Sequence, residues 1–190
     1  MENKSSYRTA VLLLFMLIII GLRVIAPLSP DFKLLANFSG LGAVALFGGA
    51  YFKNKVYAFV MPVLVLFLSD LGLVLTMGVD YGFYQGWYYT YIAFILMVLV
   101  GKLYITKISV QDVAGASVIA VFIHWIISDF GVWLGSSDFP QTLAGFWACL
   151  VLAIPYELKF LYGTLGYAAL MFTAFEALKV KFPALAISKA

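Results

Sequence analysis

A chain of 190 residues that is 64% hydrophobic and only 11% charged does not have the make-up of a soluble domain, which is about half apolar and a quarter charged. The formal net charge is +3, but the cations stand in scattered pairs beside apolar runs and form no basic stripe interleaved with aromatics, which argues against a nucleic-acid partner. Cys149 is the only cysteine, which excludes an intrachain disulfide; at about 20 residues per membrane helix, the chain is expected to form one transmembrane domain, residues 1–190, of about five to seven spans.

The first apolar block, AVLLLFMLIIIG from Ala10, follows Lys4 and Arg8 and precedes Val24-Ile25-Ala26, an order that resembles a secretory signal. Pro27 directly after Ala26 disfavours cleavage, so a retained helix over about residues 9–26 is expected, stopped by Pro27 and Pro30, whose rings cannot continue the hydrogen-bond ladder. After a loop with Asp31 and Lys33, the second helix, about residues 37–52, is short and rich in Gly, Ala and Ser. Small faces let backbones approach closely in lipid, which predicts a central position for it.

Lys53 and Lys55 precede the third helix, about residues 57–77, with Ser69 and Asp70 inside its apolar stretch; residues 78–86 form a polar turn containing Asp80. The fourth helix starts in the cluster Trp87-Tyr88-Tyr89-Thr90-Tyr91, suited to the headgroup layer, and ends near Lys102. The fifth spans about residues 113–127 and is expected to break up through residues 128–137. The next apolar run, residues 142–155, holds about fourteen residues, too few to cross comfortably, and the last helix, about residues 159–178, leads to Lys179, Lys181 and Lys189.

Lys and Arg favour the cytoplasmic side. With the amino terminus inside, Lys4, Arg8, Lys53, Lys55, Lys102, Lys107, Lys179, Lys181 and Lys189, nine of the twelve cations, fall inside, provided residues 142–155 do not cross. The expected architecture is therefore all-α: six transmembrane helices, both termini cytoplasmic, and a short re-entrant or surface helix on the outer side. Non-helical backbone at that depth needs a protein or aqueous cover, which predicts an outward-facing pocket.

Ionisable residues at membrane depth are the first functional candidates. Asp70 can serve a ligand or a helix–helix hydrogen bond. His124 and Asp129 lie five residues apart, about 500° of helical rotation, and so share no face of an unbroken helix; His124 can bond a neighbouring helix or meet a ligand. Cys149 is either a small apolar residue or a thiolate toward a pocket. Gln141, Thr142 and Tyr156 add polar groups to the same stretch, Glu157 and Lys159 are expected to pair, and Glu176 suits an interface. The aromatic excess at the outer ends, Trp87, Tyr91 and Trp133 included, suits either stacking on a heterocycle or an interfacial belt. No P-loop, HExxH, CxxC or GxGxxG occurs, and no acid–base pair has catalytic spacing, so no enzymatic role and no resident cofactor is expected.

Five segments carry a resemblance: Asn37 through Phe52 (NFSGLGAVALFGGAYF), Phe67-Leu-Ser-Asp70, Phe130-Gly-Val-Trp133, Phe139 through Gly145 (FPQTLAG) and Cys149 through Pro155 (CLVLAIP). In their order the chain resembles a family of uncharacterised bacterial membrane proteins that is itself similar to the S components of energy-coupling-factor (ECF) vitamin transporters. The resemblance implies a six-helix S-component fold in the bacterial inner membrane and an outward-facing pocket near the outer ends of helices four to six. It also implies a vitamin-like ligand, cobalamin or another heterocycle. The candidate binding residues are Asn37, Asp70, Trp87, Tyr91, His124, Asp129, Trp133, Gln141 and Cys149. By analogy with cobalamin-specific members, Cys149 or His124 would ligate the cobalt of a bound corrinoid. Transport in that family draws on a partner module of two ATPases and a membrane scaffold; the first helix here lacks the Ala-x-x-x-Ala docking signature, which leaves use of that module open. The alternative is a structural or assembly subunit of the membrane without a small ligand.

Overall fold

The computed structural model describes residues 2–28 and 38–186. Within them the chain is all helical, with six principal helices: α1 (Glu2–Ile25), α2 (Leu41–Tyr51), α3 (Lys55–Met77), α4 (Trp87–Tyr104), α5 (Val110–Gly135) and α6 (Leu143–Lys181). A helical turn, Val79–Gly82, joins α3 to α4, and short turns follow α1 and α6. All but α2 form candidate membrane spans by length and hydropathy, five in all, which makes this a multi-pass membrane protein.

The small-residue helix is central, as its composition predicts. Ten of the eleven residues of α2 are buried, and its glycines bring backbones together: a side-chain carbon on Gly49 would strike the backbone of Val98 and Gly101 in α4, and one on Gly101 would strike that of Leu46. The Phe47 ring gathers Phe15, Tyr51, Phe172 and Phe175 within 4.7–5.8 Å, so α1, α2 and α6 share one aromatic core. At about 16 Å, α2 is half a hydrocarbon thickness long; its burial, not its length, holds it there.

Helix starts are capped by side chains where the sequence offers them. Asn54 Oδ1 accepts from the Val56 and Tyr57 amides at 2.8 and 3.2 Å, Ser109 Oγ from Asp112 N at 3.0 Å and Thr142 Oγ1 from Gly145 N at 3.2 Å. Each supplies an acceptor to amides that have no partner inside the helix.

The first part of α1 and the turn after α6 meet at one end of the bundle, where Arg8 bonds the carbonyls of Tyr51 and Leu185 and Lys102 reaches the Phe52 carbonyl at 3.5 Å. Because the helices alternate, Arg8, Lys53, Lys55, Lys102, Lys107, Lys179 and Lys181 gather at this end, hereafter the lysine side.

Three expectations are corrected. The second of the six expected transmembrane helices is α2, only eleven residues long, so among the described residues five helices and not six are long and apolar enough to cross. Residues 128–135 do not break up: α5 runs on to Gly135, with Ser128 and Gly131 received across the packing seam, Ser128 Oγ 3.1 Å from Thr90 Oγ1 in α4 and Gly131 against the Tyr89 ring. Nor do residues 142–155 form a re-entrant or surface helix. They are the first part of α6, which continues through Pro155 for 39 residues, about 58 Å and nearly twice the hydrocarbon thickness. One proline forfeits one backbone hydrogen bond and is tolerated in membrane helices, and no glycine or turn residue stands between Ala148 and Lys159 to bend the chain back. Lys179 and Lys181 still lie on the lysine side, because α6 is traversed once.

Candidate functional site

The described site residues fall into two groups at the end of the bundle opposite the lysines, with His124 lower on the same α5–α6 seam; Asn37 lies outside the described residues. The first group is built on Asp70, 3% exposed near the end of α3. Arg23 Nη1, from the last turn of α1, donates to Asp70 Oδ1 at 2.6 Å and to Ser69 Oγ at 2.5 Å. The Tyr91 hydroxyl of α4 donates to Asp70 Oδ2 at 2.6 Å, and the Ser69 hydroxyl to the Leu66 carbonyl at 2.8 Å. Each carboxylate oxygen has a donor, so the group locks α1, α3 and α4 in register at a depth where an unpaired charge is costly.

Around it runs a line of rings. The Trp87 ring lies 5.0 Å from Tyr91 and 5.3 Å from Phe83, which stands 6.0 Å from Phe67. Trp87 to Tyr88 is 6.2 Å, Tyr88 to Tyr89 4.7 Å and Tyr89 to Phe130 5.6 Å. Phe130 then meets Trp133 and Phe146 at 5.5 and 5.8 Å. Nine rings thus pass without a gap from α3 through α4 and α5 to α6, at separations where aromatic pairs attract. Tyr84 and Thr90 hydroxyls share a hydrogen bond beside them.

The second group lies on the α5–α6 seam. Gln141 Nε2 donates to the Trp133 carbonyl at 2.8 Å, and Trp133 Nε1 to the Pro140 carbonyl at 2.9 Å, which closes the loop between the helices. The Cys149 thiol, 3% exposed, donates to the Asp129 carbonyl at 3.7 Å, and Trp125 Nε1 to the Leu150 carbonyl at 3.1 Å. Asp129 Oδ2 is buried without a hydrogen-bond partner among the described residues. Lower on the seam, His124 Nδ1 lies 3.1 and 3.3 Å from the two Glu157 oxygens.

Thus Asp129, Trp133, Gln141 and Cys149 come together, with His124 below them, while Asp70, Tyr91 and Trp87 form a separate group joined to them by the ring line. The expected Glu157–Lys159 pair does not form: residues two apart face different sides of a helix, so Glu157 turns to His124 and the Lys159 ammonium lies over the Tyr156 ring at 5.6 Å. No three of His, Cys, Asp and Glu are grouped to hold a metal ion among the described residues. Arg23 and Glu157 are the partners that sequence reasoning missed. The signal for Arg23 is depth: Arg8 and Arg23 are fifteen residues apart in α1, as are Lys55 and Asp70 in α3, which sets both charges about 22 Å above the lysine side.

Neither a curated protein nor a solved structure matches the chain. A family model matches residues 3–185, and with nearly the whole sequence inside that match the chain belongs to DUF6580, a family of unknown function.

Proposed function

We propose that the protein is a substrate-binding or uptake protein of the ECF S-component type. It lies in the bacterial cytoplasmic membrane with its lysine side inward and binds a small aromatic or heterocyclic micronutrient at the opposite end. The single observation that carries this reading is the unbroken line of nine rings ending at Trp133 and Phe146, beside the unpartnered Asp129 oxygen. Rings supply stacking surface, and a buried acceptor without a donor gains by meeting a ligand N–H or O–H. Inward placement of the lysines follows the cytoplasmic bias of Lys and Arg.

A general heterocycle suits the seam better than a corrinoid ligated by this chain. Cys149 is buried and engaged by the facing helix, so cobalt ligation by it would require the seam to open, and His124, held at Nδ1 by Glu157, would offer a metal only Nε2, below the group on the seam. The energising ATPase and scaffold module remains a partner that the resemblance suggests.

The test is calorimetric titration of the detergent-solubilised protein with a panel of vitamins, corrinoids included. Saturable binding that weakens about tenfold or more in Trp133→Ala or Asp129→Ala, from lost stacking and a lost hydrogen bond of about 1–3 kcal/mol, supports the reading; a panel with no binder sinks it. The second reading, a structural or assembly subunit, is favoured by one specific observation: Asp70 is satisfied wholly from within the protein. Under it, changes at Asp70 alter stability and no ligand affinity.

A further inference from the structure

Between the lysine-side ends of α5 and α6 lies a groove of about 600 Å³, within the roughly 300–1,000 Å³ of small-molecule sites. Short side chains make it: Val113 and Ala114 of α5 face Ala169, Thr173 and Ala177 of α6 across the space, with buried Phe172 on its inner wall. Val110 and Val180 also line it and are 87% and 86% exposed, so it opens sideways toward the bilayer. Lys107 stands two residues before the Ser109 cap of α5, and Lys179 and Lys181 lie in the last turn of α6. The mouth therefore sits at headgroup level and the apolar wall runs from there into the hydrocarbon.

Charge distinguishes what can rest at that mouth. Lys179 is held by Glu176 at 2.7 and 2.8 Å, and Glu176, the acid of the lining, also accepts from the Tyr51 hydroxyl at 2.6 Å. Lys107 and Lys181 are exposed and stand outside the ion pairs of the described residues. Asp112, in the first turn of α5, offsets one of them, and the positive end of the α5 dipole adds to the surplus. An apolar groove within a leaflet is filled by the solvent of that leaflet, and the positive surplus selects an anionic headgroup.

We propose that this groove is a binding site for an anionic phospholipid of the lysine-side leaflet, one acyl chain lying between α5 and α6 and the phosphate resting at Lys107, Lys181 and the start of α5. The chain would lie on Phe172, whose ring is 5.3 Å from Tyr51, the last residue of α2, so an occupied groove braces the central helix. The proposal is independent of any ligand at the opposite end.

The test is native mass spectrometry of the full chain released from nanodiscs of phosphatidylethanolamine and phosphatidylglycerol in equal amounts, beside thermal unfolding in each lipid. The expected result is retention of phosphatidylglycerol over phosphatidylethanolamine and a higher unfolding temperature in it. That selectivity should fall about fivefold for each of Lys107→Gln and Lys181→Gln, from the usual attraction of a lysine near an anionic surface. Ala169→Trp, which fills the groove, should lose the lipid with both lysines intact. Equal retention of the two lipids overturns the proposal, as does phosphatidylglycerol held unchanged by Ala169→Trp, or a dimer in place of lipid that Ala169→Trp disperses. Should Ala169→Trp fail to fold, the Lys107→Gln/Lys181→Gln variant decides, since both side chains are exposed and unchanged selectivity there is equally fatal.

Discussion

Arg8 and Leu185 meet across 177 positions of sequence, the guanidinium Nη1 donating to the Leu185 carbonyl at 2.5 Å while Nη2 donates to the Tyr51 carbonyl at 3.0 Å. One side chain thereby clamps the start of α1, the end of α2 and the turn after α6, with its carbon 5.7 and 5.3 Å from the centres of the Tyr51 and Phe175 rings. Hydrogen bonds from a charged donor are worth about 1.5–3 kcal/mol each; two of them, reduced because Arg8 is only part-buried, give an expected cost of about 2–4 kcal/mol for Arg8→Ala. Arg8→Lys should recover only part, since an ammonium cannot reproduce the fork. Thermal unfolding in detergent measures both; an Arg8→Ala protein as stable as the parent would show that the clamp carries no weight.

The Arg23–Asp70 pair is expected to act on stability. Removing one partner of a buried pair costs about 3–5 kcal/mol because it strands the other charge, so Asp70→Leu and Arg23→Met should each lose that much, while the double Arg23→Met/Asp70→Leu recovers most of it. Tyr91→Phe should cost about 1.5–3 kcal/mol, the worth of a hydrogen bond to a charged group. The measurement is a double-mutant cycle in unfolding free energy. Additive losses with no recovery would mean that Arg23 and Asp70 do not depend on each other.

The apolar helices, the lysine side and the central place of α2 were legible because each rests on local chemistry: apolar runs, charge bias and small residues in one short segment; the number of crossings was not, since α2 reads as a sixth. What was not legible depends on neighbours. The polar stretch from Ser128 to Gly135 reads as a break, yet Thr90 and the face of Tyr89 receive it. Pro155 reads as a stop, but in a long apolar segment without turn residues it removes one hydrogen bond and the helix goes on. Asp70 was recognisable as a costly acid, whereas its partner required matching depths on two helices. The cavity at the lysine side left no sequence signal beyond a few alanines on α5 and α6.

Glycines in this chain divide sharply by what surrounds them. Gly49→Ala and Gly101→Ala each push a carbon into helix backbone across the α2–α4 contact, and overpacking of that kind costs about 1–3 kcal/mol. Gly21 and Gly166 have nothing within 4 Å, so alanine there should be neutral or stabilise by about 0.5–1 kcal/mol through reduced backbone entropy in the unfolded chain. Unfolding temperatures of the four single variants test the contrast. A Gly49→Ala protein that unfolds at the same temperature as Gly166→Ala would mean that α2 and α4 are not in backbone contact.

His124 and Glu157 should behave as a unit while Lys159 does not. Their contact at 3.1 and 3.3 Å predicts a coupling of about 0.5–3 kcal/mol between His124→Gln and Glu157→Gln in a double-mutant cycle. Lys159→Ala, whose side chain lies over Tyr156 on the exposed face, should change stability by less than about 0.5 kcal/mol. The opposite ranking, with Lys159 costly and Glu157 silent, would restore the pairing expected from sequence order.

The continuity of α6 is open to a distance measurement. Leu143 and Leu170 are 80% and 59% exposed and tolerate probes; in a Cys149→Ala background, spin labels on Leu143→Cys and Leu170→Cys should lie about 40 Å apart, 27 residues of unbroken helix. A kink at Pro155 shortens that span modestly, whereas a segment that dips in and returns folds residues 143–155 back and brings the labels to within about half the distance. Impermeant maleimide supplies the orientation: Asp138→Cys should react from one face of the membrane, and Lys107→Cys and Lys181→Cys only from the other. A short distance by itself would replace the single traverse of α6 with a segment that dips in and returns, and labelling of Asp138→Cys and Lys181→Cys from one face would overturn the placement of the groove and the ring line at opposite ends of the bundle.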